Sequence, residues 1–525
     1  MSALSRRTFL AGTAGVGLAL AQASSASAAR IPTTRESHRV IVIGSGFGGG
    51  IAALRLARAG VPVTVLERGI RWPAAPNVDT FPHTSPNPAS LDHRLSWLGS
   101  PTFLRFPLPQ RRYTGLLERV QGDHMAIMCA AGVGGGSLIY HGMSLQPTAE
   151  TFHTTFPEAL DYDRLDRVHF PRVARMLKLA TAPDELIETR NYFAARVFAS
   201  RARKQGYAVS KVPMPIDWNY PLAELRGEMK PAYTNGDCAM GVNNGGKNTV
   251  DVTYIKQAEQ TGRVQVLTLH QVTDVAQARD GRWEVHVERI DTEGNVRERK
   301  VLTTRTLIMS AGSANTTKLL LRAANTGTIR DLPDKLGTNW GSNADRIYVW
   351  TDTEERFGSP QGGPVIYASK DWGDAETANT VVQAALPPLP GNERSTMICG
   401  YGVSADRGRF VWDSRREEAV LRFPRTGDAR VADAIHERVR RITGPHAMLL
   451  NTTELDPVSW HPLGGAAMGD VCDLEGRVLG QRGLYVLDGA LIPGSTVGCN
   501  PSWTIAAIVE RAMDHIVAKD VGRLI

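Results

Sequence analysis

Five cysteines in 525 residues, at positions 129, 238, 399, 472 and 499, form no Cys-x-x-Cys pair and no metal-ligand spacing, which excludes a zinc module and a disulfide-stapled scaffold. Their odd number leaves at least one thiol unpaired, and a chain that folds before export needs no bridge, so buried, reduced cysteines are expected. Lysine and arginine, 60 in all against 53 acids, never gather into a run. The formal charge of +7 therefore reads as solubility, and no nucleic-acid partner is expected. No apolar stretch is long enough for the bilayer core. Internal repeats, coiled-coil heptads and low-complexity tracts are absent too. What remains is an ordinary globular composition, 42% hydrophobic and 22% charged, with enough chain for more than one core.

What is present begins with a separate segment. Ser5-Arg6-Arg7-Thr8-Phe9-Leu10 precedes a small apolar run over 11–21 and then Ala26-Ser27-Ala28, which is the order of charged region, apolar region and cleavage site in an export signal. The paired arginines make residues 1–29 look like a twin-arginine signal, a route that carries folded proteins and lets a cofactor be inserted first. Its removal deletes Arg6 and Arg7 and no acid, so +7 becomes +5 on the mature, secreted chain.

Residues 39–43 are a short apolar, β-branched run that predicts a buried parallel strand, and Gly44-Ser45-Gly46-Phe47-Gly48-Gly49 follows directly. Gly44 permits the tight turn, Gly46 lets the backbone approach a pyrophosphate, and Gly49 lets the next helix pack on the strand. That helix is predicted over 50–59, stopped by Gly60, with its N-terminus aimed at the phosphates. A second strand over 62–66 ends at Glu67, 23 residues after Gly44, where a ribose hydroxyl needs an acceptor. The loop holds an ADP moiety; by itself it does not separate FAD from NAD.

Prolines 73, 76, 82, 86, 88 and 101, with no sustained period between them, predict a lid or binding loop over 71–110. Cys129-Ala130-Ala131-Gly132-Val133-Gly134-Gly135-Gly136-Ser137 supplies a second glycine loop, whose consecutive glycines strip one face of the backbone as a flat ring contacted by peptide groups would need. Near the end, a strand over 483–487 runs into Asp488-Gly489, and a helix starting at Asn500 or Pro501 points its N-terminus where it can stabilise negative charge. A first strand at 39 and a last near 485 that serve one cofactor make the nucleotide domain discontinuous. Between them, 283–288 alternates like a half-buried strand, 291–295 is a turn, and 264–272 and 306–309 are buried strands of the nucleotide half.

Taken together, GSGFGGG with Glu67, GVGGGS, Ser459-Trp460-His461-Pro462-Leu463-Gly464-Gly465, LYVLDGALIPG and NPSWTIAAIVER resemble the glucose-methanol-choline oxidoreductases, and among them the bacterial cholesterol oxidases with non-covalent FAD. Residues 243–247, 268–272, 311–313 and 407–410 agree with that branch, and the resemblance runs from about Arg39 to the C-terminus. It implies FAD held by Gly44, Gly46, Phe47, Gly48, Gly49, Glu67, Gly134, Gly135, Gly136, Ser137, Tyr140, Met143, Val272, Ala311, Gly312, His461, Asp488, Gly489, Asn500 and Pro501, with no metal. It implies further that His461 binds the substrate hydroxyl and takes its proton, that Asn500 pairs with it across flavin and substrate, and that Glu393 isomerises a Δ5 ketone to the Δ4 ketone. Read alone, His461 is also a capped loop histidine, Asn500 also the N-cap before Pro501, and Glu393 also a surface glutamate. The chain departs from the family pattern at Tyr140, where a flavin-contacting asparagine is usual, at Ile139, where covalently flavinylated members carry a histidine, and over 71–110.

The expected fold is α/β. A discontinuous Rossmann-like FAD-binding domain over 38–160, 240–340 and 458–525, a mixed parallel sheet with helices, carries an inserted α+β substrate domain over 161–239 and 341–457 built on an antiparallel sheet. In that sheet Trp350, Trp372 and Trp412 suit a flat steroid face or an ordinary core. The expected activity is oxidation of a 3β-hydroxysteroid by a secreted monomer, with molecular oxygen going to peroxide. The alternatives are another bulky alcohol such as a terpenoid or polyketide, a quinone acceptor, or a flavin-containing steroid-binding protein without turnover. Transient contact with a membrane surface stays open, since no amphipathic anchor stands out.

Overall fold

The structure, a computed structural model, describes residues 31–83, 92–100, 111–387 and 393–525. The export signal at 1–29 and two parts of the 71–110 loops, 84–91 and 101–110, lie outside the described residues.

Five apolar strands form an all-parallel sheet: β1 (Val40–Ile43), β2 (Val63–Leu66), β3 (Val264–Leu267), β4 (Thr306–Met309) and β5 (Leu484–Val486), in the order β5-β4-β1-β2-β3. Continuous apolar runs are what a parallel strand covered on both faces requires. Three helices flank the sheet: α1 (Phe47–Arg58), α2 (Ser313–Asn325) and α3 (Pro501–Lys519). Side-chain alternation divides each strand between two cores. Val40, Val42 and Ile308 pack with Ile51 and Leu54 of α1 and Ala506 and Val509 of α3. Ile41, Ile43, Leu307 and Met309 belong to the opposite core, with Leu320 of α2 and a four-stranded sheet of Thr33–Ser37, His270–Gln277, Trp283–Ile290 and Val296–Thr304.

Two expectations about these elements change. α1 begins at Phe47 rather than at residue 50, because the glycines that open it pack where no side chain fits: a Cβ at Gly48 would stand 1.5 Å from Leu487 O. The strand expected over 264–272 is two strands, broken where Leu269 takes φ 58° and the chain passes from β3 into the four-stranded sheet.

The second large sheet is antiparallel, in the order Ala447–Asn451, Arg346–Asp352, Ser395–Gly402, Asn379–Ala384, Val365–Asp371, Val209–Lys211. The helices Phe193–Lys204 and Ala429–Thr443 cover one face through Phe198, Ile435 and Val439. Trp350 fills that same core and Trp372 lies beneath Lys370, so neither offers a face to a substrate. Trp412 stands in a hairpin of Arg409–Asp413 and Glu418–Arg422, whose Phe410 and Leu421 pack into the core around α2. That hairpin, placed with the substrate domain from sequence, therefore packs on the nucleotide half, as do Leu165 and Phe170.

A further sheet is small and three-stranded. Leu117–Gln121 pairs with Ala126–Ala130, and Ala126–Ala130 pairs in parallel with Val458–Ser459, Ala126 opposite Val458 and Ile127 opposite Ser459. The second glycine loop and His461 therefore leave the same end of adjacent strands. All five cysteines are free thiols, three of them buried and two half-buried. Among the described residues no helix is long and apolar enough to cross a membrane.

Candidate active site

The turn after β1 is built from backbone. Gly44 has φ +99°, and a Cβ there would stand 2.2 Å from Ser310 O, so only glycine lets β1 and β4 run on side by side into their loops. The two glycine loops touch: a Cβ on Gly135 would come within 2.8 Å of Gly46 Cα. Ser45 Oγ donates to Glu67 Oε2 (2.6 Å) and accepts from Gly134 N–H (3.2 Å), while Glu67 Oε1 accepts from Gly69 N–H (2.9 Å) and Gly132 N–H (3.2 Å). One buried carboxylate thus ties the end of β2 to both loops. A carboxylate offers about four acceptor positions; three are used, and one is left for a ribose hydroxyl.

Asp488 performs the same task after β5. Its Oδ2 accepts from Gly312 N–H (2.8 Å) and Thr316 Oγ1 (2.6 Å), and its Oδ1 accepts from Ala490 N–H (2.8 Å). Burial pushes this carboxyl up to about 6, with the three donors pulling the other way.

The chemistry-bearing groups come from four distant segments. His461 Nδ1 lies 2.6 Å from Asp345 Oδ1, and Asp345 Oδ2 accepts from the N–H groups of Trp460 (2.7 Å) and His461 (3.1 Å). A carboxylate only accepts, so Nδ1 carries the hydrogen and Nε2 is left as an acceptor. Asn500 Nδ2 faces that Nε2 at 3.3 Å, and Tyr401 donates its hydroxyl hydrogen to Asn500 Oδ1 at 2.7 Å. Each contact in the row Tyr401, Asn500, His461, Asp345 sets a donor against an acceptor, and the second hydrogen of Asn500 Nδ2 is not used in it. Asn500 does occupy the N-cap position of α3, yet its side chain makes no capping bond and is turned to His461 instead.

Beside this row, the Tyr140 ring meets Phe47 edge-on at 5.6 Å, and its buried hydroxyl has no partner among the described residues. Lys247 Nζ donates to Leu138 O (3.0 Å) and to Tyr140 O and lies over the Tyr140 ring. Burial brings the Lys247 ammonium down to about 7. Burial, together with Lys247 and His461, brings His141 down to about 4, so its imidazole is neutral at pH 7.

Of the residues expected to hold the cofactor, all but Gly49, Gly134 and Ser137 line one cavity of about 990 Å³, which His461 and Asn500 also line. The three exceptions shape the loops from behind. A Cβ on Gly49 would lie 2.0 Å from Gly44 O, Ser137 Oγ spends its bonds on Gly134 O (2.7 Å) and Val250 N–H (2.9 Å), and Gly134 N–H is held by Ser45. Glu393 is a clear correction. It precedes the strand Ser395–Gly402, its side chain is 54% exposed, it pairs with Arg356 at 3.1 Å, and it does not line the cavity. Met397, Cys399, Gly400 and Tyr401 of that strand line the cavity instead. Asp345 and Tyr401, by contrast, escaped the sequence reading: Tyr401 looks like any strand aromatic, and nothing around Asp345 forms a motif.

FAD fits this arrangement on the chain's own terms. Gly46 and Gly136 leave open space where side chains would stand, Glu67 keeps an acceptor position, and the N-terminus of α3 opens on the cavity through Pro501 and Ser502.

The GMC oxidoreductase family models match residues 111–339 and 415–508. The chain is 25% identical to a cholesterol oxidase of Acinetobacter baumannii over 91% of this chain and 94% of that one. It is 26% identical to a cholesterol oxidase of Mycobacterium tuberculosis strain H37Rv over 91% of each. The crystal structure of pyridoxine 4-oxidase from Mesorbium loti superposes with a TM-score of 0.62 at 15% identity, covering 91% of this chain and 99% of that one. With the two models together matching more than half of the chain, the chain belongs to the GMC oxidoreductase family, whose members bind FAD and oxidise CH–OH donors.

Proposed function

We propose that this protein is an exported oxidase that holds FAD non-covalently and oxidises the 3β-hydroxyl of a sterol-like alcohol to the ketone, reducing oxygen to hydrogen peroxide. The observation that carries the reading is the His461 and Asn500 pair set beside the apolar residues Met240, Ile347, Met397, Cys399 and Trp460 of the cavity wall. A bulky alcohol with a single polar end suits such a wall, and Leu455, 68% exposed and on the cavity, extends it to the rim.

FAD, when bound, supplies the two-electron acceptor for the hydride of the carbinol carbon. The chain does the rest. Asn500 Nδ2 donates to the substrate oxygen, His461 Nε2 accepts the hydroxyl proton as the carbonyl forms, and the apolar wall excludes water from the reacting carbon. The overall change balances: one secondary alcohol and one molecule of oxygen give one ketone and one molecule of hydrogen peroxide, which carries away the two hydrogens and two electrons that the alcohol loses. Among the carboxylates that line the cavity, Asp345 is held to His461 and Asp456 to Arg119. With Glu393 outside the cavity, isomerisation is no part of this reading.

The test is an anaerobic titration of the purified protein with cholesterol, following the visible flavin band. Bleaching, recovery of colour with peroxide on admitting air, and no absorbance of a conjugated enone are expected, and acid precipitation should release the flavin into the supernatant. His461→Ala should stay yellow and reduce its flavin about 10² to 10⁴ times more slowly. A flavin that stays oxidised with cholesterol but bleaches with another bulky alcohol sinks the sterol assignment.

A further inference from the structure

We infer that Asp345 is a positioning residue that holds His461 in the one tautomer able to receive the substrate's proton; the inference rests on the reading of His461 as the proton acceptor.

Three observations converge on it. The Asp345 carboxylate is buried, and both of its oxygens are spent within one turn of chain: Oδ1 on the His461 ring at 2.6 Å, Oδ2 on the backbone N–H groups of Trp460 and His461. Both the ring and the peptide that carries it are thus fixed by one side chain. Asp345 is itself delivered by an unusual turn, with Asn343 and Ala344 both left-handed at φ 56° and 53°, a conformation that non-glycine residues rarely adopt in succession. Finally, Asn343 at the start of that turn accepts from Thr496 N–H (3.2 Å) and donates to Cys499 O (2.8 Å), in the segment that ends at Asn500. The turn that holds the histidine also holds the asparagine.

The chemical consequence follows from donor counting. With Nδ1–H donated to Asp345, the lone pair of Nε2 faces Asn500 and the cavity. When the alcohol reacts, its O–H bond breaks, an Nε2–H bond forms, and the electron pair of the carbinol C–H bond leaves as hydride to the flavin while the C=O bond closes. The ring becomes a cation with a carboxylate against it, so Asp345 also stabilises the charge that develops.

Asp345→Asn separates this role from a structural one. An asparagine has one acceptor oxygen for three donors. With that oxygen on the two backbone N–H groups it turns its NH2 toward Nδ1, which must then accept, and the ring hydrogen moves to Nε2. The loop keeps its two backbone bonds, but the base is lost. In the FAD-loaded protein, Asp345→Asn should retain flavin and bind the substrate with an affinity close to that of the wild type, while the anaerobic rate of flavin reduction falls by about 10² to 10⁴. Nitrogen-15 spectra of ring-labelled histidine should show His461, assigned by its loss in His461→Ala, with a protonated Nδ1 in the wild type and a protonated Nε2 in the variant. These spectra need neither substrate nor turnover, and the wild-type spectrum decides even if the variant does not fold. A wild-type Nε2–H tautomer, or a variant that reduces flavin at the wild-type rate, overturns the inference. If His461→Ala reduces flavin normally, the proton-acceptor reading fails instead, and the tautomer assignment is still judged by its own spectrum.

Discussion

Tyr401 is the residue on which the orientation of Asn500 turns. Its ring is buried against His461 and its hydroxyl donates to Asn500 Oδ1, so the amide must present Nδ2 to the histidine. Tyr401→Phe leaves that oxygen unpaired, at a cost of about 1–3 kcal/mol, and lets the amide turn its oxygen toward Nε2, where two acceptors would repel. The expected result is a roughly 10-fold to 100-fold slower flavin reduction with flavin content unchanged, a loss comparable to the 1–3 kcal/mol at stake, read by rapid-mixing absorbance. A wild-type rate would mean that something else orients Asn500. His461 and Asn500 were legible in the sequence because each sits inside a contiguous motif whose neighbours do a related job. Asp345, just before the strand Arg346–Asp352, and Tyr401, within Ser395–Gly402, reach His461 and Asn500 from the antiparallel sheet, and only the fold brings them in. Glu393 misled for the same reason: spacing along the chain placed it near the site, but it lies beyond the end of its strand and turns to Arg356.

At the scale of elements, the loop over 138–141 is supported by the buried amine of Lys247. Lys247 Nζ donates to Leu138 O and Tyr140 O, so Lys247→Met leaves two carbonyls without a donor, about 1–3 kcal/mol each. Weaker FAD retention and a lower Tm are expected. The pH dependence has a definite sign. Burial holds the folded lysine at about 7, against about 10.4 in an unfolded chain, so across that window the unfolded state binds the proton and the folded state does not. The wild type should therefore gain stability over Lys247→Met as pH rises from 7 toward 10.4, with no further change below 7, in urea titrations run as a function of pH. A difference independent of pH would show the lysine to be charged in the fold. β1, the glycine turn and α1 were plain in the sequence because strand, turn and helix each carry their own local signal. The break at Leu269 was not, because a residue with φ 58° inside an apolar run is imposed by two sheets competing for one segment.

Over the whole molecule, the order β5-β4-β1-β2-β3 draws on both ends of the chain and its middle, so the parallel sheet closes only when nearly all of the sequence is in place. That discontinuity was legible because each end carries nucleotide-facing motifs. The placement of the hairpin at 409–422 was not, since nothing in its own pattern shows that Phe410 and Leu421 pack with Leu320 of α2. The cavity is walled by both halves, Gly44 and Asp488 from one and Met397 and Tyr401 from the other, which couples cofactor binding to the stability of both. Apoprotein and FAD-loaded protein should each unfold in a single transition. FAD at 100 times its Kd should add about 2.7 kcal/mol, seen as a rise in Tm of the whole chain rather than of one step. A chain ending at residue 480 lacks β5, Asp488, Asn500 and α3, and should bind no FAD at all. Two separate transitions in the apoprotein, only one of them moved by FAD, would show instead that the antiparallel half folds without regard to the nucleotide half and that the cavity is a late contact between finished parts.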